Sequence, residues 1–217
     1  MIALLDTSGS LETAGIEIGM PVGQLLTPRT RFANRGAQFA IDNGAFAGCE
    51  RAAFETLIER ERPNRDRCIF VAVPDVVGDA RRTGELFRYW FARLPGWPLA
   101  FVAQDGQQDL PIPWEHLSAI FIGGSTAFKL SRHAESIIRC AQWQAKWVHV
   151  GRINSPDRLS RLEELGIDSF DGSGISQYSH MRFAIRDRAE SPQLSLLNGH
   201  LNGGINAGSN MGRNRQL

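Results

Sequence analysis

Apolar residues in this chain come in short unbroken runs, separated by stretches where they recur every three or four positions. Ile69-Phe70-Val71-Ala72-Val73, Leu99-Ala100-Phe101-Val102-Ala103, Ala119-Ile120-Phe121-Ile122 and Trp147-Val148-His149-Val150 are too short for helices and predict strands buried on both faces. Between them, Glu50 to Arg62 carries Phe54, Leu57 and Ile58 at helical spacing until Pro63 stops it. Asp79 can cap a helix from Ala80 to about Leu94, a further helix runs through Leu130, Ile137 and Ile138, and Ser155-Pro156 opens one carrying Leu159, Leu162 and Leu165. Ile2-Ala3-Leu4-Leu5, the weaker Val22-Gly23-Gln24-Leu25-Leu26, Phe39-Ala40-Ile41 and Ile167 to Phe170 bring the strands to about eight.

Such alternation predicts a parallel sheet covered by helices, and eight strands favour a closed TIM-like (β/α)8 barrel over an open doubly wound sheet. The expected organisation is one compact α/β domain over residues 1–188. No Gly-x-Gly-x-x-Gly follows the first strand, which argues against dinucleotide binding. From about Ala189 the composition shifts to Asn, Gly, Ser and Gln. The tail 189–217 is therefore expected to be flexible, with too little apolar surface to offset its ordering entropy.

Charge and cysteine usage narrow the picture further. The net charge of +1 hides an imbalance, because only Lys129 and Lys146 among the 24 cations are lysine. Arginine clamps phosphate with a planar fork, so basic clusters such as Arg29, Arg31 and Arg35 are compatible with nucleic acid, a solvated loop being the plainer alternative. Cys49, Cys68 and Cys140 have neither pairing nor metal-ligand spacing, which predicts a reducing, cytoplasmic setting. No basic leader with an apolar run opens the sequence, and no stretch approaches membrane-spanning length, so no membrane association is expected.

The residues just past the apolar runs carry the candidate chemistry: Asp42, Asp75, Gln104-Asp105, Gly123-Gly124, Gly151-Arg152 and Asp171. In a barrel these converge on one rim. Asp171 ends Leu165-Gly166-Ile167-Asp168-Ser169-Phe170 and opens into Gly172-Ser173-Gly174, a placement suited to a nucleophile or general base. Asp42, in Phe39-Ala40-Ile41-Asp42-Asn43-Gly44-Ala45-Phe46, repeats the design, and two such carboxylates suit a glycosidic centre. Asp75 could accept from the amine and ring N–H of a purine, while Gln104 and a glycine N–H donate to its carbonyl.

Structural readings compete at each position. Asp171 and Asp42 could be turn aspartates bonding their own backbone. His149, between two valines, reads as a satisfied interior or rim histidine. Arg152 is either a phosphate ligand or an ion-pair partner of Asp168 or Asp171. Trp90, Trp97, Trp143 and Trp147 read as packing residues rather than base-stacking platforms.

Taken in order, Asp42-x-Gly44-x-Phe46, Asp75, Gln104-x-Gly106, Gly123-Gly124 and Gly166-Ile167-Asp168-x-Phe170-Asp171 resemble the motifs of the tRNA-guanine transglycosylases and of their DNA-modifying relatives, the DpdA-like deazapurine DNA transglycosylases. The resemblance runs from about Phe39 to Gly174. It implies that Asp171 is the nucleophile and that Asp42 assists base binding and proton transfer. It also implies that Asp75, Gln104 and the Gly123-Gly124 backbone read the purine; Asn43, Phe46 and Arg152, close by in the sequence motifs, are further substrate-binding candidates. Asn43 and Ala45 depart from the serine and second glycine usual there, and Asp105 replaces a glycine. Nothing after Asp171 matches the zinc-binding Cys cluster of the tRNA-acting members, so no metal or other cofactor is expected and the DNA-acting branch is favoured.

The activity so implied exchanges guanine in DNA for a 7-deazaguanine of the preQ0 type, through a covalent glycosyl-aspartate. The expected partners are DNA in preference to tRNA, a free guanine or 7-deazaguanine base, and either a homodimer or a DNA-opening protein; the setting would be bacterial or phage-infected cytoplasm. Three alternatives accompany this reading: a tRNA-acting transglycosylase, a base-excising N-glycosidase in which water resolves the intermediate, and a non-catalytic nucleic-acid-binding barrel.

Overall fold

The computed structural model describes residues 1–32, 37–45, 48 and 50–190, and within them the alternating elements close into a barrel. In chain order these are β1 (Ile2–Leu5), α1 (Leu11–Ile18), β2 (Val22–Leu26), β3 (Phe39–Ile41), α2 (Arg51–Glu61), β4 (Cys68–Ala72), α3 (Ala80–Phe91), β5 (Leu99–Ala103), β6 (Ala119–Ile122), α4 (Thr126–Lys129), α5 (Arg132–Trp143), β7 (Trp147–Val150), α6 (Pro156–Glu164), β8 (Ser169–Asp171), α7 (Ser173–Gln177) and α8 (Ser179–Ala189). Each strand runs parallel to both neighbours, and Ile2, Ala3 and Leu4 of β1 pair with Ser169, Phe170 and Asp171 of β8, so the sheet has no edge. The TIM-like barrel read from the sequence is the fold observed.

Alternate residues of each strand enter two different cores. Leu4, Leu25, Ala40, Phe70, Ala72, Ala100, Val102, Ala119 and Phe121 fill the barrel, while residues of opposite parity, such as Leu5, Ile41, Val71, Phe101, Ile120 and Val150, face the helices. This double burial explains why the strands read as continuous apolar runs rather than alternating ones. The helices return their apolar stripes to the outer core: Phe54, Leu57 and Ile58 from α2, Phe87 and Trp90 from α3, Ile137 and Ile138 from α5, Leu159 and Leu162 from α6.

Several elements depart from the sequence expectation. Helix α1 lies in the stretch that pattern alone did not resolve. Ser10 caps it by accepting from Thr13 N–H, and Gly19 ends it at φ 72°, a left-handed conformation that suits glycine. Helix α8 continues the fold beyond the last strand and packs on α1, with Arg182 bonded to Glu17 at 2.5 Å and to the Ile175 carbonyl at 2.6 Å. Its weak amphipathicity hid it, since Ile185 is its one buried residue. Between β5 and β6 the chain makes only short 3-10 turns, at Gln107–Asp109 and Trp114–His116. Helix α3 stops at Phe91, before Leu94. Trp90 and Trp97 are buried as expected, whereas Trp143 is 88% exposed, because it ends α5 on the side away from Ile137, Ile138 and Ala141. Arg35, Phe46, Cys49 and the tail from residue 191 lie outside the described residues. Among the described residues no helix is long and apolar enough to cross a membrane.

Candidate functional site

The period of two that fills the barrel also aims the site. Asp6 follows Leu4 by two residues, Asp42 follows Ala40, Gln104 follows Val102 and Asp171 follows Ser169, so each continues an inward-facing series beyond the last apolar layer. The carboxyl ends of β1, β3, β5 and β8 thereby deliver polar groups to one mouth. Asp42, Asn43, Asp75, Gln104, Gly123, Gly124 and Arg152 line a single cavity there, with Ala72, Val102 and Phe121 forming its apolar floor. These seven are sequence candidates. Asp171 is joined to them through Arg152 and through its charge on Asp42; Phe46 lies outside the described residues.

Carboxylates crowd this rim. Burial raises Asp42 most, and the nearby charge of Asp171 raises it further, against a hydrogen bond from Gly44 N–H; the result is a pKa of about 7. Asp42 therefore shares its site with a proton near neutrality, which suits a group that must both give and take one. Asp6 is also raised, by burial first, although it accepts from the Thr30 hydroxyl at 3.0 Å. Burial likewise raises Asp75, with Asn43, Gln104 and the Arg152 cation working in the opposite direction.

Asp75 is held rigidly. Asn43 Nδ2 donates to its Oδ1 at 2.9 Å and to the Val73 carbonyl at 2.8 Å, while Gln104 Nε2 lies 3.2 Å from its Oδ2. The Gln104 amide also meets the Val76 carbonyl at 2.9 Å and Thr83 Oγ1 at 2.7 Å, and its Oε1 accepts from Gly78 N–H at 2.7 Å. Sequence reasoning has Gln104 donating to a purine carbonyl. In the folded chain its hydrogens are already engaged, and it orients Asp75.

Asp171 is 7% exposed and sits at the head of a hydrogen-bonded chain. Its Oδ2 lies 3.0 Å from His149 Nε2; His149 Nδ1 lies 2.9 Å from Ser169 Oγ, which lies 2.7 Å from Trp147 Nε1. An indole N–H can only donate, so Ser169 accepts from Trp147, and its own hydrogen is free to go to His149 Nδ1. With the hydrogen so placed, Nε2–H donates to Asp171 Oδ2. His149 is fully buried between the rings of Phe70 and Phe121, with centroids 4.9 and 4.5 Å away, so the imidazole has little freedom to turn. It is the interior histidine that the sequence suggested and, at the same time, a direct partner of the candidate nucleophile. For Asp171 the turn-aspartate alternative finds no matching bond, since its Oδ1 accepts from Arg152 N–H across the loop at 3.1 Å; Asp42 does make the turn bond, its Oδ1 accepting from Gly44 N–H at 2.7 Å.

Arg152 takes φ 58°, a left-handed conformation that costs a non-glycine residue on the order of 1 kcal/mol or more. The conformation aims its backbone N–H at Asp171 while its Nη2 donates to the Gly124 carbonyl at 2.8 Å. Gly124 is itself left-handed, at φ 70°, and a Cβ there would collide with the Asp105 carboxylate. Asp105 accepts from Ser125 N–H at 2.7 Å and from its hydroxyl at 2.6 Å. Burial raises the Asp105 pKa, but these bonds prevail and hold its carboxyl below the ordinary range.

Asp6, His149, Ser169 and Lys129 are rim or near-rim residues that the strand-end motifs passed over. Asp6 satisfies the same rule as Asp42, a carboxylate directly past an apolar strand, and the same parity test finds it. His149 and Ser169 carry that signal too, two residues before Gly151 and Asp171 on inward-facing positions. Lys129 lies on a short helix with no periodic mark.

No family model matches the chain, and no curated protein does. Among solved structures, a chain of the Amycolatopsis orientalis BexX/CysO complex aligns over 96% of this chain and 94% of its own, at 14% identity and TM-score 0.51. That likeness extends to the fold alone. A Silicibacter pomeroyi protein assigned as a glycerophosphoryl diester phosphodiesterase aligns over 66% of this chain and 48% of its own, at 13% identity and TM-score 0.39.

Proposed function

We propose that this protein is a transglycosylase that exchanges guanine in DNA for a 7-deazaguanine base of the preQ0 type. The observation that carries the reading is the pairing of two unlike carboxyl groups at one barrel mouth. Asp171 is oriented by His149 and by Arg152 N–H, and Asp42 has its pKa lifted to about 7 by burial and by Asp171 itself. A carboxyl group that holds a proton near neutrality, beside another fixed by hydrogen bonds, can serve as acid while its neighbour serves as nucleophile.

In this mechanism Asp171 attacks C1′ of the deoxyribose as the bond to guanine breaks, and Asp42 gives its proton to the departing base. The incoming 7-deazaguanine returns a proton to Asp42 as its ring nitrogen attacks C1′ and displaces Asp171, so configuration is retained. Asp75, fixed by Asn43 and Gln104, would accept from the exocyclic amine and ring N–H of either base. The cavity measures about 60 Å³ of space open to water centres, room for a few waters. DNA is preferred over tRNA on the motif resemblance, and the target base must leave the helix stack to reach the mouth.

Labelled guanine and preQ0 offered to the purified protein with DNA and, in parallel, with tRNA test the proposal. Incorporation into DNA that vanishes in Asp171→Ala is the expected result. Incorporation into tRNA alone would reassign the polymer, and base release without incorporation would indicate an N-glycosidase. A folded protein that does neither would overturn the enzymatic reading.

A further inference from the structure

Beside the base cavity, a second cleft of about 630 Å³ opens among the loops that follow β4 to β8. Three cations line it, Lys129, Arg152 and Arg158, with Ser125, Asn154 and Ser173 between them. Lys129 is only 4% exposed, and its ammonium donates to the Gly151 carbonyl at 2.8 Å. Among the described residues no carboxylate forms an ion pair with it. A buried ammonium held by one carbonyl retains two hydrogens and most of its charge for a further partner.

The neighbouring charges point the same way. Burial lowers the Lys129 pKa most, and the Arg152 and Arg158 cations lower it further against Asp171 and Asp105, to about 8. The cations thus disfavour one another, which a bound anion would relieve. Asp105, the carboxylate in this wall, accepts both bonds from Ser125 and partly offsets the Lys129 charge without forming an ion pair with it, so the cations still outnumber it. The strained backbone at Arg152 places its side chain on the wall shared by this cleft and the base cavity.

We propose that this cleft binds a phosphate group, specifically a phosphodiester next to the nucleotide whose sugar reaches Asp171. The choice of a DNA strand as its source rests on the transglycosylase reading; the anion chemistry does not. Guanidinium and ammonium donors around a cavity on an otherwise acidic rim would hold the strand in register while the base enters between the carboxylates.

Arg158 is exposed on α6, so Arg158→Glu should keep the fold, which circular dichroism checks. Inorganic phosphate binding is measured calorimetrically on both proteins, and binding of a short guanine-containing single-stranded oligodeoxynucleotide is followed by fluorescence anisotropy across a salt series. The expected result is a loss of phosphate affinity of roughly tenfold or more and a decrease of about one in the slope of log K against log salt. Equal phosphate affinity in the two proteins, or none in the wild type at ~10 mM phosphate, a weak-binding range, would overturn the site. Phosphate binding that weakens while the DNA slope holds would overturn the strand assignment and identify a small phosphorylated ligand instead. These measurements need no turnover. Failed base incorporation with phosphate binding intact would remove the enzymatic reading and leave the cleft; the converse would remove the cleft alone.

Discussion

Two arcs of opposite charge share the mouth of this barrel. Asp171, Asp6, Asp42 and Asp75 stand at or just past the ends of β8, β1, β3 and β4, while Lys129, Arg152 and Arg158 follow β6 and β7. Each arc strains itself: burial and like charge raise Asp42, and burial and like charge lower Lys129. Such self-repulsion would cost stability without return if the mouth were only a lid on the core. The division instead suits the proposed ligand, with a neutral, protonatable base at one end and an anion at the other.

The acidic arc should show the largest effects. Asp171→Asn keeps the size of the side chain but removes the nucleophile, so base incorporation should fall by on the order of 10³-fold or more, the scale seen when a catalytic nucleophile is deleted. Thermal melting checks that the fold survives. Activity retained within tenfold would show that the two arcs have another purpose.

Asp42→Asn should lower incorporation by roughly 10²- to 10⁴-fold, the range of lost acid–base assistance. Its effect on stability should have the opposite sign. The folded-state pKa of about 7 lies above the ordinary 3.8, so the folded protein binds more protons between these values and loses stability as pH rises through that window. Each pK unit is worth ~1.4 kcal/mol at most, so the asparagine variant should gain a few kcal/mol over wild type at pH 8 relative to pH 4. Urea denaturation at the two pH values tests this, and equal pH dependence in the two proteins would contradict it.

The same comparison shows what the sequence could convey. Strands such as Cys68–Ala72 and Leu99–Ala103 were legible because burial on both faces leaves continuous apolar runs, and the polar ends of such runs marked Asp42, Asp75 and Asp171. The acidic arc was therefore largely readable, although Asp6 was passed over. The basic arc was not, apart from Arg152. Lys129 becomes significant only because folding buries it, and Arg158 only because α6 brings it beside Lys129. Long-range pairing also changed the role of Gln104, whose bonds to Val76 and Thr83 no local pattern announces. Helices α1 and α8 escaped notice because their stabilisation comes from packing on each other rather than from a strong apolar stripe.

His149 links the barrel interior to the acidic arc. His149→Phe preserves the aromatic packing against Phe70 and Phe121 but removes the donor to Asp171. Because the imidazole positions the carboxylate, the expected loss is on the order of 10²-fold in kcat with KM little changed, as for a displaced catalytic group. A purely structural role would lower melting temperature and leave kcat per folded molecule intact. Restoration by His149→Gln, whose amide can still donate, would strengthen the positioning assignment.

The smallest effect is expected where the arcs meet. Arg152→Gly relieves a left-handed backbone that disfavours a side chain by roughly 1 kcal/mol. It also removes the hydrogen bond to the Gly124 carbonyl, worth about 1 kcal/mol net. These two terms oppose each other, so stability measured by denaturation should change only modestly, by on the order of 1–2 kcal/mol. Binding of single-stranded DNA should nonetheless weaken, with the salt slope reduced by about one, because a phosphate-facing cation has gone. A variant that loses stability and keeps the slope would make Arg152 a brace for the loop, and the basic arc would then rest on Lys129 and Arg158.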